Sequence, residues 1–280
     1  MNARRRFPLL TEQCDQADVA HAPFPHLVIP NALPQSIYDQ LSEEFPNTPE
    51  RLLPNERLNL PGNSHRVLNE ALSPLWREFV LSHSSTHFLV SVQKLFAATK
   101  AAPWLSQIGR LILPRERRWG FNPDDLADSQ RSLEMDGFWG FQIAVHAGSH
   151  ESVVPIGPHF DSRDKLFSCL FYLRSTEDSS KGGELELHQR LRITSDKRLG
   201  QGDSRIHTRI PYSANTAVLF PDSPAAIHAV GERPPTTEAR RFCFISAHIP
   251  RYDHGSTLVE NLARVHSDRI KRRLRTRLPV

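Results

Sequence analysis

His159 and Asp161 are separated by one residue in the segment 157–161, which reads Gly-Pro-His-Phe-Asp. Side chains at positions i and i+2 lie on the same face of a β-strand, so this imidazole and this carboxylate are expected to share one metal ion. A second H-x-D pair, His266 and Asp268, falls in a basic stretch with helical spacing. Positions i and i+2 of a helix diverge by about 200° around its axis, so this second pair cannot bind one metal ion together. Its side chains are expected to lie on a solvated surface.

His228 is the candidate for a third ligand, because it lies in a separate short apolar run, AAIHAV. Taken alone, a histidine in such a run is most simply a hydrogen-bonded core residue. Together with His159 and Asp161 it completes a set of two imidazoles and one carboxylate. Such a set binds one side of a metal ion and leaves coordination positions open, an arrangement that suits Fe(II) oxygen chemistry.

Two adjacent arginines, Arg240 and Arg241, begin the apolar run RRFCFIS. A guanidinium that projects into an apolar barrel is costly unless it meets a carboxylate, to which it can donate two hydrogen bonds. We therefore expect one arginine to bind an anionic ligand and the other to lie on the surface. Gln142 and His146 share one face of the run FWGFQIAVH, so they are candidates for the pocket lining or are ordinary core or surface residues. The charged residues 162–165 are expected either to contact substrate or to form a solvated loop.

The first 136 residues are predicted to be mostly helical, after a short strand in PFPHLVI. The run PQSIYDQLSEEF carries its apolar residues on one helical face and stops at Pro46. Ser73 followed by Pro74 is typical of a helix N-cap and first turn, and a further amphipathic run, THFLVSVQKLFAAT, comes next. The segment 51–64 is rich in turn-forming and polar residues, which predicts an irregular loop.

From about Phe138 the sequence changes to short β-rich runs separated by Gly, Pro, Asp and Ser. Several such strands without helices between them indicate an antiparallel double sheet or barrel. Residues 258–278 return to helical spacing with a basic face. The expected fold class is therefore α+β.

The 280 residues carry a net charge of +4 and are 39% hydrophobic, which is typical of a folded globular protein. Basic residues are concentrated in the segments 4–6 and 269–277, so the body of the chain is acidic and a nucleic-acid groove through the fold is not expected. The three cysteines form no C-x-x-C pair, which fits a reducing compartment. No run approaches the ~18 apolar residues of a membrane-spanning helix. We therefore expect a cytoplasmic protein.

The ordered series of motifs between residues 137 and 249 resembles the Fe(II)- and 2-oxoglutarate-dependent dioxygenases, in particular their prolyl-4-hydroxylase-like branch. The series consists of H-x-D, a Leu-rich strand ending in Tyr-Leu, Gly-Gly-Glu-Leu, a Pro/Asp turn, a histidine, and arginine followed by an apolar strand. The N-terminal stretch PFPHLVIPNALPQSIYDQLSEEFP is similar to the first strand and helix of many bacterial members.

This resemblance implies a double-stranded β-helix (jelly-roll, cupin-like) core over residues 137–250. A mostly helical region, 1–136, and a basic C-terminal helix, 251–280, would belong to the same compact domain. By the same resemblance, iron would be held by His159, Asp161 and His228. The distal carboxylate of 2-oxoglutarate would be bound by Arg241, which fits the family order of Arg, apolar, small polar, and Arg240 remains the alternative.

The function implied by the resemblance is hydroxylation of an unactivated C–H bond, with Fe(II), 2-oxoglutarate and O2 as cofactor and co-substrates. The expected substrate is a small polar metabolite, an amino acid or a side chain. A nucleic-acid demethylase of the same superfamily and a non-catalytic cupin-like binding module are the alternatives. The C-terminal helix is expected to pack on the body or to contact a partner subunit or an anionic surface weakly, and the sequence leaves the oligomeric state open.

Overall fold

The computed structural model of the chain describes residues 6–46, 52–99, 105, 119–120, 137–192, 198–200, 202–249, 252–253, 256–257, 259–261 and 263–264. Its α-helices are α1 (Gln35–Glu43), α2 (Pro74–His83) and α3 (Thr86–Phe96). Its β-strands are β1 (Leu27–Ile29), β2 (Arg57–Pro61), β3 (Trp119–Gly120), β4 (Gly137–His146), β5 (Ile156–His159), β6 (Lys165–Tyr172), β7 (Leu185–Arg190), β8 (Ser204–Ile210), β9 (Thr216–Pro221), β10 (Ile227–Val230) and β11 (Arg240–His248).

The strands form two sheets. The larger sheet has the order β1-β9-β6-β11-β4-β2, with the short β3 parallel to β4, and the smaller sheet has the order β5-β10-β7-β8. All other strand pairs are antiparallel. The predicted α+β class with a jelly-roll core and a helical N-terminal region is confirmed.

Side-chain alternation gives the larger sheet two apolar faces. On the inner face, Phe242 and Leu170 pack with Leu187 of the smaller sheet in one buried cluster. On the outer face, Cys243 and Ile245 pack with the helices in a second cluster. Strand β6 is buried along its whole length because both of its faces and both of its edges are covered.

The helices cover the outer face of the larger sheet with aromatic side chains. The Phe79 ring of α2 lies 5.7 Å from that of Phe141 and 5.6 Å from that of Phe171. The N-cap predicted at Ser73 is confirmed, since its hydroxyl accepts a hydrogen bond from the Trp76 amide. Helix α3 begins in the same way at Ser85.

The segment 51–64, expected to be an irregular loop, contains strand β2, which pairs with β4. The prediction was wrong because turn-forming residues flank the strand, and its polar/apolar alternation, RLNL, is only four residues long. Of the basic C-terminal stretch, residues 259–261 and 263–264 are helical, and everything after residue 264 lies outside the described residues. No helix among the described residues is long and apolar enough to cross a bilayer.

His83 is fully buried and connects the N-terminal segment to α2. Its Nε2 accepts a hydrogen bond from the Leu10 amide at 3.0 Å, and its Nδ1 donates to the Phe79 carbonyl at 2.8 Å. Burial lowers the pKa of His83 from 6.5 to about 4, although the bond to Phe79 opposes the shift. The imidazole is therefore neutral in the folded protein.

Acidification is expected to destabilise the protein through His83. Below pH 6.5, His83 is protonated in the unfolded chain, whereas in the folded chain it stays neutral down to about pH 4. This contribution to the free energy of unfolding is complete above pH 6.5 and falls by about 1 kcal/mol per pH unit below it. In urea unfolding between pH 7.5 and 5, the His83→Gln variant should show a correspondingly shallower pH slope. The exposed-site variant His150→Gln should keep the wild-type slope, and equal slopes for all three proteins would contradict the assignment.

Candidate active site

The pairing of β5 with β10 brings the two candidate histidines together. His159 ends β5 and lies directly opposite His228 in the antiparallel register. Directly opposite residues project on the same face, and the two ring centroids are 4.4 Å apart. Asp161 follows two residues after His159, and one ligand atom from each of the three residues lies within 4.8 Å of the others. The structure thus brings together the three residues that the sequence singled out.

Both imidazoles are oriented by the backbone. The Nδ1 of His159 lies 2.9 Å from the Gly157 carbonyl, and the Nδ1 of His228 lies 3.0 Å from the Ala226 carbonyl. A carbonyl can only accept, so each Nδ1 donates its proton, and Nε2 is the ring nitrogen of each histidine that is left to bind a metal ion. These Nε2 atoms lie 3.9 and 3.8 Å from oxygens of Asp161. All three groups therefore present ligand atoms to one point.

The Asp161 carboxylate is held by two neighbours on β6. Its Oδ2 accepts hydrogen bonds from Lys165 Nζ at 2.8 Å and from Ser168 Oγ at 2.7 Å. The Ser168 hydroxyl also lies 2.9 Å from Oδ2 of the buried Asp222. Burial opposes the ionisation of Asp161, but the charges of Lys165 and His228 and the two hydrogen bonds lower its pKa well below the usual range. The carboxylate is therefore ionised.

Burial lowers the pKa of His228 from 6.5 to about 4, against the opposing effect of the Asp161 charge. Metal binding requires a neutral imidazole and an ionised carboxylate. The site provides both protonation states at neutral pH without any rearrangement. Two imidazoles and a single carboxylate form a donor set that suits Fe(II) and leaves coordination positions for other ligands.

Lys165 and Ser168 both contact Asp161, which the sequence did not predict. The sequence placed Lys165 in a segment expected to be solvated or to meet substrate, whereas its side chain is buried, with Nζ 4.3 Å from the centroid of the Phe244 ring. The sequence feature that could have drawn attention to these two residues is the presence of a lysine and a serine within a strand that is otherwise apolar. Residues three apart normally lie on opposite faces of a strand, but the register of β6 against β11 shifts between Phe167 and Lys165, so both side chains reach Asp161. Sequence alone does not give that shift.

The two adjacent arginines lie on opposite faces of β11. Arg240 lies on the inner face, where its guanidinium carbon is 4.7 Å from the centroid of the Phe242 ring and 5.0 Å from those of Tyr172 and Tyr212. Arg241 lies on the outer face, 5.2 Å from the centroid of the Phe45 ring. Strand alternation therefore sends Arg240, the sequence alternative, into the barrel and Arg241, the sequence preference, to the outer face of the sheet.

Arg240 is 2% exposed, and its Nε and Nη2 have no hydrogen-bond acceptor within the described part of the chain. Leaving buried donors of a charged group unpaired is expensive, and a carboxylate would satisfy two of them in parallel. The geometry thus fits an anionic ligand with one end at Arg240. A dicarboxylate such as 2-oxoglutarate has the required distal carboxylate.

Gln142 and His146 share the inner face of β4. Gln142 is half-buried and lies opposite Phe244 of β11. His146 lies opposite Arg240, and its Nε2 is 2.7 Å from Oδ1 of Asn55. Both residues are on the pocket side of the sheet, as the sequence suggested.

A polar group lies beyond Phe244 on the same inner face. The His248 ring stacks on Phe138 at 4.6 Å between centroids, and its two nitrogens lie 3.1 Å from Ser246 Oγ and 3.4 Å from Asp164 Oδ2. A Cβ at Gly140 would come within 2.5 Å of Ser246 Oγ, so glycine leaves room for this group. Ser246 is also the register partner of Ser168, which places the group next to the Asp161 network.

Comparison with known proteins identifies the family of this segment. Residues 141–246 match the family model described as the 2OG-Fe(II) oxygenase superfamily. These residues form an oxygenase domain of that superfamily. The predictions of a 2-oxoglutarate-dependent dioxygenase, and of Fe(II), 2-oxoglutarate and O2 as its cofactor and co-substrates, are confirmed. A search of curated proteins found no match.

Several solved structures are similar to this chain at low identity. A prolyl 4-hydroxylase from Phytophthora capsici is 14% identical, with a TM-score of 0.44, and the match covers 94% of this chain and 72% of that one. A Pseudomonas putida prolyl-4-hydroxylase is 12% identical, with a TM-score of 0.39 and coverages of 89% and 98%. A Trichoplax adhaerens prolyl hydroxylase in complex with a peptide of hypoxia inducible factor is 14% identical, with a TM-score of 0.39 and coverages of 80% and 83%.

Replacing Ser168 by alanine should weaken metal binding. The hydroxyl orients the Asp161 carboxylate, and loss of such a partner typically costs about tenfold or more in metal affinity. Calorimetric titration with Mn(II) should show this loss for Ser168→Ala and wild-type affinity for Ser175→Ala, which removes a hydroxyl from a loop outside the site. Unchanged affinity in the first variant would show that Ser168 does not orient the ligand.

Proposed function

We propose that His159, Asp161 and His228 hold the catalytic Fe(II) and that Arg240 binds the distal carboxylate of 2-oxoglutarate. The observation that carries the proposal is the convergence of two oriented Nε2 lone pairs and one ionised carboxylate within 4.8 Å. The buried donors of Arg240, on the inner face of β11, add the expected anchor. The iron, when bound, would supply oxygen activation coupled to decarboxylation of the 2-oxo acid.

The residues of the chain would orient the reactants and exclude water. The carbonyl-bound imidazoles keep their tautomer, and Lys165 and Ser168 keep the carboxylate of Asp161 ionised and fixed. The Phe220 ring lies 5.1 Å from that of His228, and Phe244 lies beside Lys165. These aromatic side chains form an apolar wall, which strengthens electrostatic contacts inside the site.

The substrate is proposed to be a small polar metabolite, an amino acid or a side chain that is hydroxylated at an unactivated C–H bond. Support comes from the polar group formed by Asp164, Ser246 and His248 on the inner face of the barrel. Together they offer hydrogen-bond donors and acceptors next to the Asp161 network. A site built to hydrogen-bond a polar substrate discriminates strongly against analogues that lack the polar group.

The roles of the two arginines can be separated by a matched pair of variants. Arg240→Gln should weaken 2-oxoglutarate binding by about 100-fold, because it removes charge-assisted hydrogen bonds in a buried pocket. Arg241→Gln should bind 2-oxoglutarate like the wild type. The measurement is the dissociation constant of 2-oxoglutarate for the Mn(II)-loaded protein.

The opposite pattern of binding would identify the other arginine as the anchor. If Arg241→Gln weakens binding and Arg240→Gln does not, the anchor is Arg241 and β11 turns its other face to the co-substrate. Circular dichroism of both variants would establish that each is folded.

His228→Ala should abolish the release of succinate from 2-oxoglutarate and should weaken Mn(II) binding, since the third ligand is lost. His207→Ala, which changes a histidine on β8 outside the site, should retain both properties. Turnover in His228→Ala would show that another residue is the third ligand.

The substrate class is tested by a screen for coupled succinate release. Small polar metabolites, free amino acids, peptides and methylated oligonucleotides are offered to the iron-loaded enzyme. A polar metabolite, amino acid or peptide side chain should raise succinate release in proportion to hydroxylated product. A response confined to methylated nucleic acid would contradict the proposed substrate class.

A further inference from the structure

Asp222 is a buried acid that the proposed function does not use. It directly follows β9, whose six residues are all buried, and its own exposed fraction is 0%. The Asp222 amide donates a hydrogen bond to the Leu166 carbonyl at 2.9 Å, which holds the residue beside β6. Its Oδ2 lies 2.9 Å from Ser168 Oγ, and the same hydroxyl oxygen lies 2.7 Å from Asp161 Oδ2. Ser168 therefore bridges two carboxyl groups.

The bridging hydroxyl has only one proton. It can donate one hydrogen bond and accept others with its lone pairs, whereas an ionised carboxylate can only accept. If both carboxyl groups were ionised, one of the two contacts of Ser168 would join two oxygens with no proton between them. Two carboxyl groups in one site also repel each other when both are charged, so such pairs tend to retain a proton. The geometry thus favours one neutral acid in this pair.

Asp161 is the ionised member of the pair. Lys165 Nζ lies 2.8 Å from Asp161 Oδ2, with 8% of the lysine side chain and 14% of the aspartate side chain exposed. An ammonium group at this distance stabilises the ionised form of a carboxyl group. The remaining proton is then assigned to Asp222, since burial disfavours the charged form of an acid.

The position of this proton decides which way the hydrogen bonds point. With Asp222 neutral, its O–H donates to Ser168 Oγ, and Ser168 donates its own proton to Asp161. Together with Lys165 this supplies two donors to Oδ2 of Asp161, one for each lone pair, so the lone pairs of Oδ1 are left for a metal ion. An ionised Asp222 would instead compete with Asp161 for the single proton of Ser168.

We propose that Asp222 is a neutral carboxylic acid in the folded protein and a positioning residue for Asp161, acting through the hydroxyl of Ser168. This rests on the proposed function, in which Asp161 is an iron ligand. The chain from Asp222 to Ser168 to Asp161 directs its hydrogen bonds toward the metal site. Asp222 thereby keeps the proton of Ser168 available for the iron ligand.

The protonation state is tested by infrared spectroscopy of the metal-free protein at neutral pH. A carboxylic acid has a C=O stretching band that is separate from the bands of carboxylates. The spectrum of the wild type minus that of Asp222→Asn should contain this acid band. The matched control is Asp39→Asn, which removes an exposed acid of α1 bonded to Gln35 and should show loss of carboxylate bands only. Loss of carboxylate bands in Asp222→Asn would overturn the proposal.

The positioning role is tested by calorimetric titration with Mn(II). Asp222→Ala removes the donor to Ser168 and should weaken Mn(II) binding several-fold, up to the loss of about tenfold expected for Ser168→Ala. Asp222→Asn has an amide that can donate to Ser168, so it should bind Mn(II) like the wild type. The double variant Ser168→Ala/Asp222→Ala should bind like Ser168→Ala alone, because Asp222 acts through Ser168. Circular dichroism would establish that each variant is folded.

The outcomes separate this inference from the proposal on which it rests. Unchanged Mn(II) affinity in Asp222→Ala would overturn the positioning role. Independent losses that multiply in the double variant would also overturn it, since Asp222 would then act by a route other than Ser168. Failure of the wild-type protein to bind Mn(II) would instead overturn the proposed function, and the infrared band of Asp222 is measured without any metal.

Discussion

The register between β5 and β10 is the constraint on which the site depends. It places His228 directly across from His159, and a shift of one residue would turn one imidazole to the other face of the sheet. β10 is fixed by its longer pairing with β7, in which four residue pairs are in register. Each imidazole is then oriented by the carbonyl of the residue two positions earlier in the chain. The relative placement of the two imidazoles is therefore a property of the smaller sheet, whereas Asp161 is held by Lys165 and Ser168 of the larger one.

The second constraint is electrostatic. The barrel buries two kinds of charge, a carboxylate beside Lys165 and a guanidinium surrounded by aromatic rings. The carboxylate is paired with Lys165, whereas the guanidinium forms no ion pair with any residue that the structure describes. Since an unpaired buried charge lowers the stability of the folded state, we infer that an anion beside this guanidinium would stabilise the protein.

The convergence of His159, Asp161 and His228 could be predicted from the sequence because part of its signal is local. H-x-D on a strand fixes the relative direction of two side chains, and the order of motifs supplied His228. The choice between Arg240 and Arg241 could not be made in this way, because both faces of β11 are apolar and the sequence gives no sign of which face is the inner one. The N-cap at Ser73 was predictable for the same reason as H-x-D, since it depends on adjacent residues only.

The contacts of Lys165 and Ser168 with Asp161 could not be predicted, because they depend on pairing between distant strands. Strand β2 was missed because turn-forming residues flank it and its pairing with β4 is not visible in the sequence. In the sequence, Ser168 is only a small residue within a buried strand. Its contact with Asp161 becomes apparent only in the folded structure. The register between strands that are distant in sequence is set by packing of the whole core, so it cannot be predicted from a short stretch of sequence.

Both outer edges of the larger sheet are built from the first 61 residues. β1 covers β9 on one side, and β2 covers β4 on the other. Strands with unpaired backbone groups are templates for pairing with other molecules. A shortened chain starting at Gly137 would keep His159, Asp161 and His228 but would expose the edge of β4 at residues 142–146 and that of β9 at residues 217–219. Removing the N-terminal region is therefore expected to create two edges at which chains can associate.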